Sequence, residues 1–426
     1  MRHVSQNRPF VIRRGASKWP ACRKWNADYL RSVMGDAPVN VAITPHGNAD
    51  SVLSLKSPDG KELLLFVKPY ETQEPFSAAL SSIQSQSQCQ HPSHPSSSSS
   101  SSSPSPSAPP VRYLQTQNDN LRAEFLPLFA DVPPSIPFAR IALGQDPDAI
   151  NFWLGNASSV TALHKDNYEN VYVQVLGQKH FVLLPPVESA CVNEQAVLSA
   201  TYKPRSGSGL RRGDSGPAST STPTPNPDSD SASLEVGARN GKEEVQAEGE
   251  YRLSASDLIP HIDTPRTYTP FATWDPDSSS SPYPSSSPNT SPSPSSFPSP
   301  NMSSHPTKFS NLSRPLRVTL NPSDMLYLPA LWYHKVSQSC SDEGICCAVN
   351  YWYDVDFGGG FWSMAGFVRG VAGLSLRGQD GVEYKSREDQ GEEEEQDGKR
   401  DEEEQGQEQE DAAPPAPPHS IQEYKN

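Results

Sequence analysis

Apolar and polar residues alternate with a period of two over most of the informative parts of this chain, which predicts short strands rather than long helices. The clearest run is Val171-Tyr172-Val173-Gln174-Val175. A turn at Leu176-Gly177-Gln178-Lys179 follows, then a second run, His180–Leu184, stopped by Pro185-Pro186, so the two are expected to form a β-hairpin. Further strands are expected at Arg8–Arg13 (RPFVIR), Val39–Thr44, Ala149–Leu154, Leu316–Leu320, Met325–Leu328, around Trp332–Val336 and at Cys346–Tyr353. The last sets Ala348, Asn350 and Trp352 against Val349, Tyr351 and Tyr353. Helical spacing marks Trp19–Met34, with Trp25, Tyr29, Leu30 and Val33 on one face, then Phe76–Ile83, and Phe361–Val371 after a break at Gly358–Gly360. Many short strands with frequent turns predict a mainly β fold, a sandwich or barrel of the jelly-roll class, with flanking helices.

Between these segments the pattern disappears. Residues 82–110, which include eight consecutive serines, and residues 204–250 and 275–310 read as disordered Ser/Pro-rich insertions. Tyr251–Trp274 keeps some apolar residues and is expected to lie on the surface of the fold. The 426 residues include 44 Pro and 61 Ser, so length alone overstates the number of domains. The reading is one domain over 8–375, interrupted by these insertions, and a disordered acidic tail over 376–426. The net charge is −15, of which residues 388–411 contribute −12. What remains is nearly neutral and has no basic face, which argues against direct nucleic-acid binding. The six cysteines fall at no zinc-ligand spacing and suggest no disulfide framework. No apolar run approaches the ~18 residues of a membrane span, and the first residues have no apolar core of a signal peptide, so a cytoplasmic or nuclear protein is expected.

The candidate chemistry centres on His164-Lys165-Asp166. Residues i and i+2 of a strand face the same side, so one imidazole and one carboxylate can converge on an ion. A second histidine would complete the two-histidine, one-carboxylate set of non-haem Fe(II) oxygenases, which leaves coordination positions open. Among ten histidines such a pair also arises by chance. His334, just after the Met325–Leu328 strand and among aromatic residues, is the partner in view, and a core histidine bonded to a carbonyl is the competing reading. Lys179 begins the returning strand, where a lysine either faces inward to pair with a dicarboxylate or stands solvated in a turn. Thr161 offers a hydroxyl near His164, or is an ordinary β-branched strand residue.

The stretches NFWLG (151–155), VTALHKDNYENVYVQVLGQKHFVLLPP (160–186), MLYLPALWYHKV (325–336) and AVNYWYD (348–354) together resemble the JmjC-domain, cupin-like Fe(II)/2-oxoglutarate oxygenases. The resemblance is nearest to the small JmjC (3S)-lysyl hydroxylase/peptidase subgroup, and RPFVIRRG (8–15), VNVAITPHGNAD (39–50) and YLQTQNDNL (113–121) fit it too. It implies a double-stranded β-helix barrel in which His164, Asp166 and His334 bind Fe(II). It further implies that Lys179 and Thr161 hold the distal carboxylate of the co-substrate 2-oxoglutarate, and that Tyr113, Asn170, Tyr172 and Asn350 line the pocket. The activity implied uses O2, releases succinate and CO2, and hydroxylates C3 of a lysine in a protein, the family's substrates being developmentally regulated GTP-binding proteins. Histone demethylation, peptidase activity and a non-catalytic cupin scaffold are the alternatives. Related hydroxylases dimerise through C-terminal helices. The apolar face Phe361, Trp362, Met364, Phe367 and Val368 therefore either packs on its own sheet or forms a homodimer contact.

Overall fold

The computed structural model describes residues 2–56, 60–88, 109–205, 253–277 and 304–377. Most of the three expected insertions, and the tail beyond residue 377, lie outside the described residues. At their margins the chain continues as helix to Gln88 and resumes at Ser304. Met1–Gly373 form one compact unit; a second, Leu374–Asn426, is described only to Arg377.

Two antiparallel sheets build the barrel. One runs, in order, Phe10–Ile12, Met325–Leu328, Tyr168–Leu176, Cys346–Asp354 and Ala149–Gly155. The other runs Leu316–Leu320, Gln178–Leu184, Tyr333–Ser339 and Thr161–His164. Tyr172, Leu326, Leu328 and Ala348 from the first meet Phe181, Leu183, Leu320 and Val336 from the second, with Trp332, in one buried cluster. This is the expected mainly β, jelly-roll barrel. The opposite face of the first sheet, with Val171, Val173, Val349, Tyr351 and Tyr353, is buried under Trp25, Leu30, Phe76, Leu80 and Phe125 of the flanking helical segments. Both alternating sets of Cys346–Tyr353 are thus buried, one inside the barrel and one outside it.

The hairpin expected around Gly177 is not one. Tyr168–Leu176 pairs within the first sheet and Gln178–Leu184 within the second, so the turn is a corner that carries the chain between sheets. Gly177 makes the corner possible: its φ is +67°, and an added Cβ would lie 2.5 Å from the carbonyl oxygen of Ser339. The helix expected over Trp19–Met34 is two, Ala21–Lys24 and Ala27–Met34, because Asn26 accepts a hydrogen bond from the Tyr29 amide and caps a new start.

A further sheet went unforeseen: Ser51–Lys56, Glu62–Lys68, Glu194–Pro204 and Leu258–Ile262, with Tyr268–Ala272 on the other half of Glu194–Pro204. Tyr251–Trp274 is therefore not simply draped on the surface, since Phe271, Ala272 and Trp274 are buried. Residues 304–312 are likewise fastened: Thr307 and Ser310 hydroxyls donate to the carbonyls of Ala190 and Cys191, both at 2.7 Å. In the helix Gly360–Arg377, Phe361 and Trp362 pack near Ala330 and Leu331, whereas Met364 and Phe367 are exposed, so only part of the expected apolar face packs on the barrel.

Asp131 ties the N-terminal helices to the core, accepting from Lys24 Nζ (2.8 Å), Trp25 Nε1 (3.1 Å) and the Tyr29 hydroxyl (2.6 Å). Burial opposes its charge, but these hydrogen bonds outweigh burial and hold the carboxyl below the usual range. A depressed folded value means stability that is present above the unfolded value, about pH 4, and lost as pH falls through the folded one. Asp131→Asn is expected to cost about 2–3 kcal/mol at pH 7 and to flatten the acid limb of stability in urea titrations. An unchanged acid limb would show that the carboxylate plays no such part.

Candidate metal centre and adjoining pocket

His164 ends its strand, and His334, second residue of its own, stands directly opposite in the antiparallel ladder. Opposed residues share a face, and the two rings lie 4.1 Å apart, centroid to centroid. Asp166 falls just past the strand rather than on it. Its backbone oxygen accepts from the Leu331 amide at 2.9 Å, which binds the segment after His164 to the turn before His334. Leu331 holds φ +70°, a left-handed conformation that costs a branched residue roughly 1–3 kcal/mol. The Asp166 carboxylate then bridges the histidines, Oδ1 3.7 Å from His164 Nε2 and Oδ2 3.6 Å from His334 Nε2. One ligand atom from each of the three lies within 4.8 Å of the others.

The donor set suits a divalent metal. Each histidine turns Nδ1 toward a carbonyl two residues back, His164 to Ala162 at 2.8 Å and His334 to Trp332 at 3.0 Å. A ring nitrogen facing a carbonyl carries the proton, so Nε2 presents its lone pair toward the carboxylate. Burial, then the neighbouring His164, push His334 down to about 4, against the pull of Asp166, so it is neutral at pH 7. Two imidazoles and a carboxylate converge, the facial set with open positions for other ligands.

Lys179 and His334 lie on adjacent strands, Lys179 opposite Gln338 and His334 opposite Leu183. Lys179, Gln338, Val336 and His334 therefore share one face, and four residues at about 3.3 Å each separate the lysine from the histidine by ~13 Å along the strand. The lysine is not a solvated turn residue: it is 3% exposed. Its Nζ donates to the Tyr113 hydroxyl at 2.8 Å and lies 5.3 and 5.7 Å from the ring centroids of Tyr113 and Tyr172. Burial works against the ammonium, and Tyr113, Tyr172 and Cys346 around it would offset burial only if they were ionised. Burial pushes both phenols up, so they are neutral. Among the described residues no carboxylate forms an ion pair with Lys179, which leaves a buried cation in neutral company, the environment of an anion socket.

Thr161 stands three residues from His164, so strict alternation would send the two to opposite faces. A register slip between the partners of His334 and Val336 makes a bulge that sets Thr161 opposite Val336, on the His334 side. On the first sheet, Asn350 lies opposite Tyr172 and Trp352 opposite Asn170. Asn350 Nδ2 donates to Asn170 Oδ1 (3.3 Å), and Trp153 Nε1 donates to Asn350 Oδ1 (2.9 Å). The structure thus gathers Tyr113, Tyr172 and Lys179 at one end and the Asn170–Asn350 pair on the neighbouring sheet. Trp153, Gln338, Gln115 and Asp50 were not foreseen. Gln338 shares the parity of His334 and was legible from it, whereas Asp50 and Gln115 arrive through long-range packing. A cleft of about 560 Å³ reaches Asp166 and is lined by Asp119, Asp148, Asn167, Tyr168 and Trp352 among others, the last two stacked at 5.0 Å.

Comparison with known proteins adds the lineage of this arrangement. The family model for a cupin-like domain matches residues 1–359. The bifunctional peptidase and (3S)-lysyl hydroxylase JMJD7 of Homo sapiens is 30% identical over 83% of this chain and 79% of its own length. The lysine-specific demethylase JMJ32 of Arabidopsis thaliana is 30% identical over 83% of the chain and 78% of its own length. JmjC domain-containing protein E of Dictyostelium discoideum is 28% identical over 84% and 80%.

Proposed function

The chain belongs to the cupin-like JmjC family, and from that premise we propose that it is an Fe(II)- and 2-oxoglutarate-dependent protein hydroxylase acting on C3 of a lysine. The observation that carries the reading is the pairing of the His164–Asp166–His334 cluster with a buried Lys179 that shares a strand face with His334 and has no carboxylate partner among the described residues. In this reading the three cluster residues hold Fe(II), Lys179 and Thr161 hold the far carboxylate of 2-oxoglutarate, and Tyr113, Asn170, Tyr172 and Asn350 line the space between. Bound there, the metal and co-substrate supply O2 activation, with succinate and CO2 as co-products of the hydroxylation.

The chain's own residues supply the setting. Lys179 neutralises an anionic end that would otherwise be buried unpaired, and Tyr113 fixes the ammonium by accepting its hydrogen bond. Tyr172, Phe181, Leu328 and Trp332 form an apolar wall that excludes water from the barrel interior. The carbonyls of Ala162 and Trp332 keep both imidazoles in the tautomer a metal needs. The substrate chain enters by the cleft that ends at Asp166.

The name of the human relative supports lysine hydroxylation, and that of the Arabidopsis relative, at the same identity, supports demethylation as a second reading. Protein loaded anaerobically with Fe(II), then given 2-oxoglutarate, O2 and peptides from GTP-binding proteins with free or methylated lysine, separates them. One oxygen gained on lysine with equimolar succinate is the expected result. Loss of a methyl group with succinate moves the activity to demethylation, and cleavage without succinate to a peptidase. An enzyme that forms no succinate under any of these conditions is not an oxygenase. The proposal also includes a developmentally regulated GTP-binding protein as substrate and a homodimer through the C-terminal helix, which the same peptides and the solution mass of the enzyme test.

A further inference from the structure

The turn that joins strands Pro38–Thr44 and Ser51–Lys56 is fastened to the segment leading into the His164 strand. The carbonyl of Gly47 accepts from the Val160 amide at 2.8 Å, next to Thr161. Gly47 has φ +75°, and a Cβ there would fall 1.9 Å from the carbonyl oxygen of Ser158, so the approach needs glycine. Within the turn, the Gly47 amide donates to Thr44 Oγ1 (2.9 Å) and the Ser51 hydroxyl to the Asn48 carbonyl (2.8 Å).

Asp50 closes this anchored turn with φ +52°, a left-handed conformation that is strained for a non-glycine residue. Its carboxylate accepts one long hydrogen bond, 3.4 Å from Gln115 Nε2, and among the described residues it forms no ion pair. Lys68, on the strand Glu62–Lys68 of the adjoining sheet, is already paired with Asp263 at 2.8 Å. The docked turn brings Asp50 to the segment that carries Val160, Thr161 and His164. Asp50 does not orient that histidine, whose Nδ1 is taken by Ala162 and whose Nε2 faces Asp166. Alternate residues of one extended segment connect the parts: Tyr113 meets Lys179, Gln115 meets Asp50, and Gln117 lines the open cleft.

We propose that Asp50, steadied by Gln115, receives the cationic end of the substrate side chain and so makes this site select an ammonium-bearing residue. The inference rests on the oxygenase reading and assigns its specificity to a residue outside the metal set. A strained carboxylate with no counter-charge, on a turn docked at the segment leading into the His164 strand, is unfavourable in the free protein and becomes favourable only when a cation arrives.

The test uses two capped peptide libraries that differ only at the central residue, lysine in one and norleucine in the other, which keeps the carbon chain and removes the charge. Wild-type enzyme is expected to favour the lysine library by about 100-fold in kcat/KM. In Asp50→Asn that preference falls to a few-fold, mainly through KM, and Asp50→Glu restores part of it. Unchanged melting temperature and Fe(II) affinity would show that the fold and the metal cluster survive the substitution. Retention of the lysine preference in Asp50→Asn overturns the assignment, as does equal use of both libraries by the wild type. Failure of the wild type to turn over 2-oxoglutarate at all is a different result, and it removes the oxygenase reading itself.

Discussion

Asp166→Ala is expected to lower Fe(II) affinity by at least ~1,000-fold and to abolish succinate formation, while the protein still folds. The size follows from the geometry. Asp166 is the one carboxylate of the cluster, within 3.7 Å of both Nε2 atoms, and without it a dication meets two imidazoles alone. Loss of residues that merely support metal ligands already costs about 10–100-fold in metal affinity, so loss of a charged ligand costs more. The fold survives because the bond from the Leu331 amide reaches the Asp166 backbone oxygen and not the side chain. Removing the carboxylate also leaves that of Glu169 on Tyr327, and that of Asp324 on Arg13, in place. Anaerobic titration followed by calorimetry measures the affinity, and thermal unfolding without metal checks the fold. If the variant bound Fe(II) as tightly as the wild type, the ligand set would be wrong.

The His164–Asp166–His334 cluster was legible in the chain because its members obey short-range rules. His164 and Asp166 sit two residues apart, and His334 is the second residue of a strand whose aromatic neighbours mark a buried wall. What alternation alone gets wrong is instructive. It makes Gly177 the tip of a hairpin, since the period of two continues on both sides; the corner between sheets depends on which partners each strand finds, and those of the second strand lie more than 130 residues away at Leu316–Leu320 and Tyr333–Ser339. It also sends Thr161 to the wrong face, because a bulge leaves no local mark in TALH. The strand Glu194–Pro204 escaped notice for another reason. Its middle, AVLSATY, is mostly small residues, and its partners are a parallel neighbour at Glu62–Lys68 and two segments beyond residue 250. Asp50 stands in the sequence only as the end of the stretch VNVAITPHGNAD; that its turn docks beside the His164 strand depends on Gly47 meeting Val160, a contact no pattern along the chain encodes.

Lys179→Met is expected to separate function from stability, with effects of opposite sign. Turnover of 2-oxoglutarate should fall by about 1,000-fold, chiefly as a rise in the KM for that co-substrate, because removing one partner of a buried charged pair costs roughly 2–5 kcal/mol. Fe(II) affinity should stay within a few-fold of wild type, since the lysine lies ~13 Å along the strand from His334 and touches none of the three ligands. Without co-substrate, the substitution should raise the melting temperature. The wild-type ammonium is 3% exposed, and its partners are a neutral hydroxyl and two aromatic faces, so the free protein bears a desolvation cost that no counter-ion offsets. Methionine fills a similar volume without charge. Saturating 2-oxoglutarate should then stabilise the wild type and leave Lys179→Met unmoved, because only the wild type gains a partner for its buried charge. Lys179→Arg is a sharper probe than it looks: the charge remains, but a planar guanidinium must fit between the Tyr113 and Tyr172 rings, so little rescue is expected. A Lys179→Met protein that was destabilised, and yet stabilised by 2-oxoglutarate as strongly as the wild type, would place the co-substrate carboxylate elsewhere. The lysine would then be a structural cation whose work is to hold Tyr113 against the barrel wall.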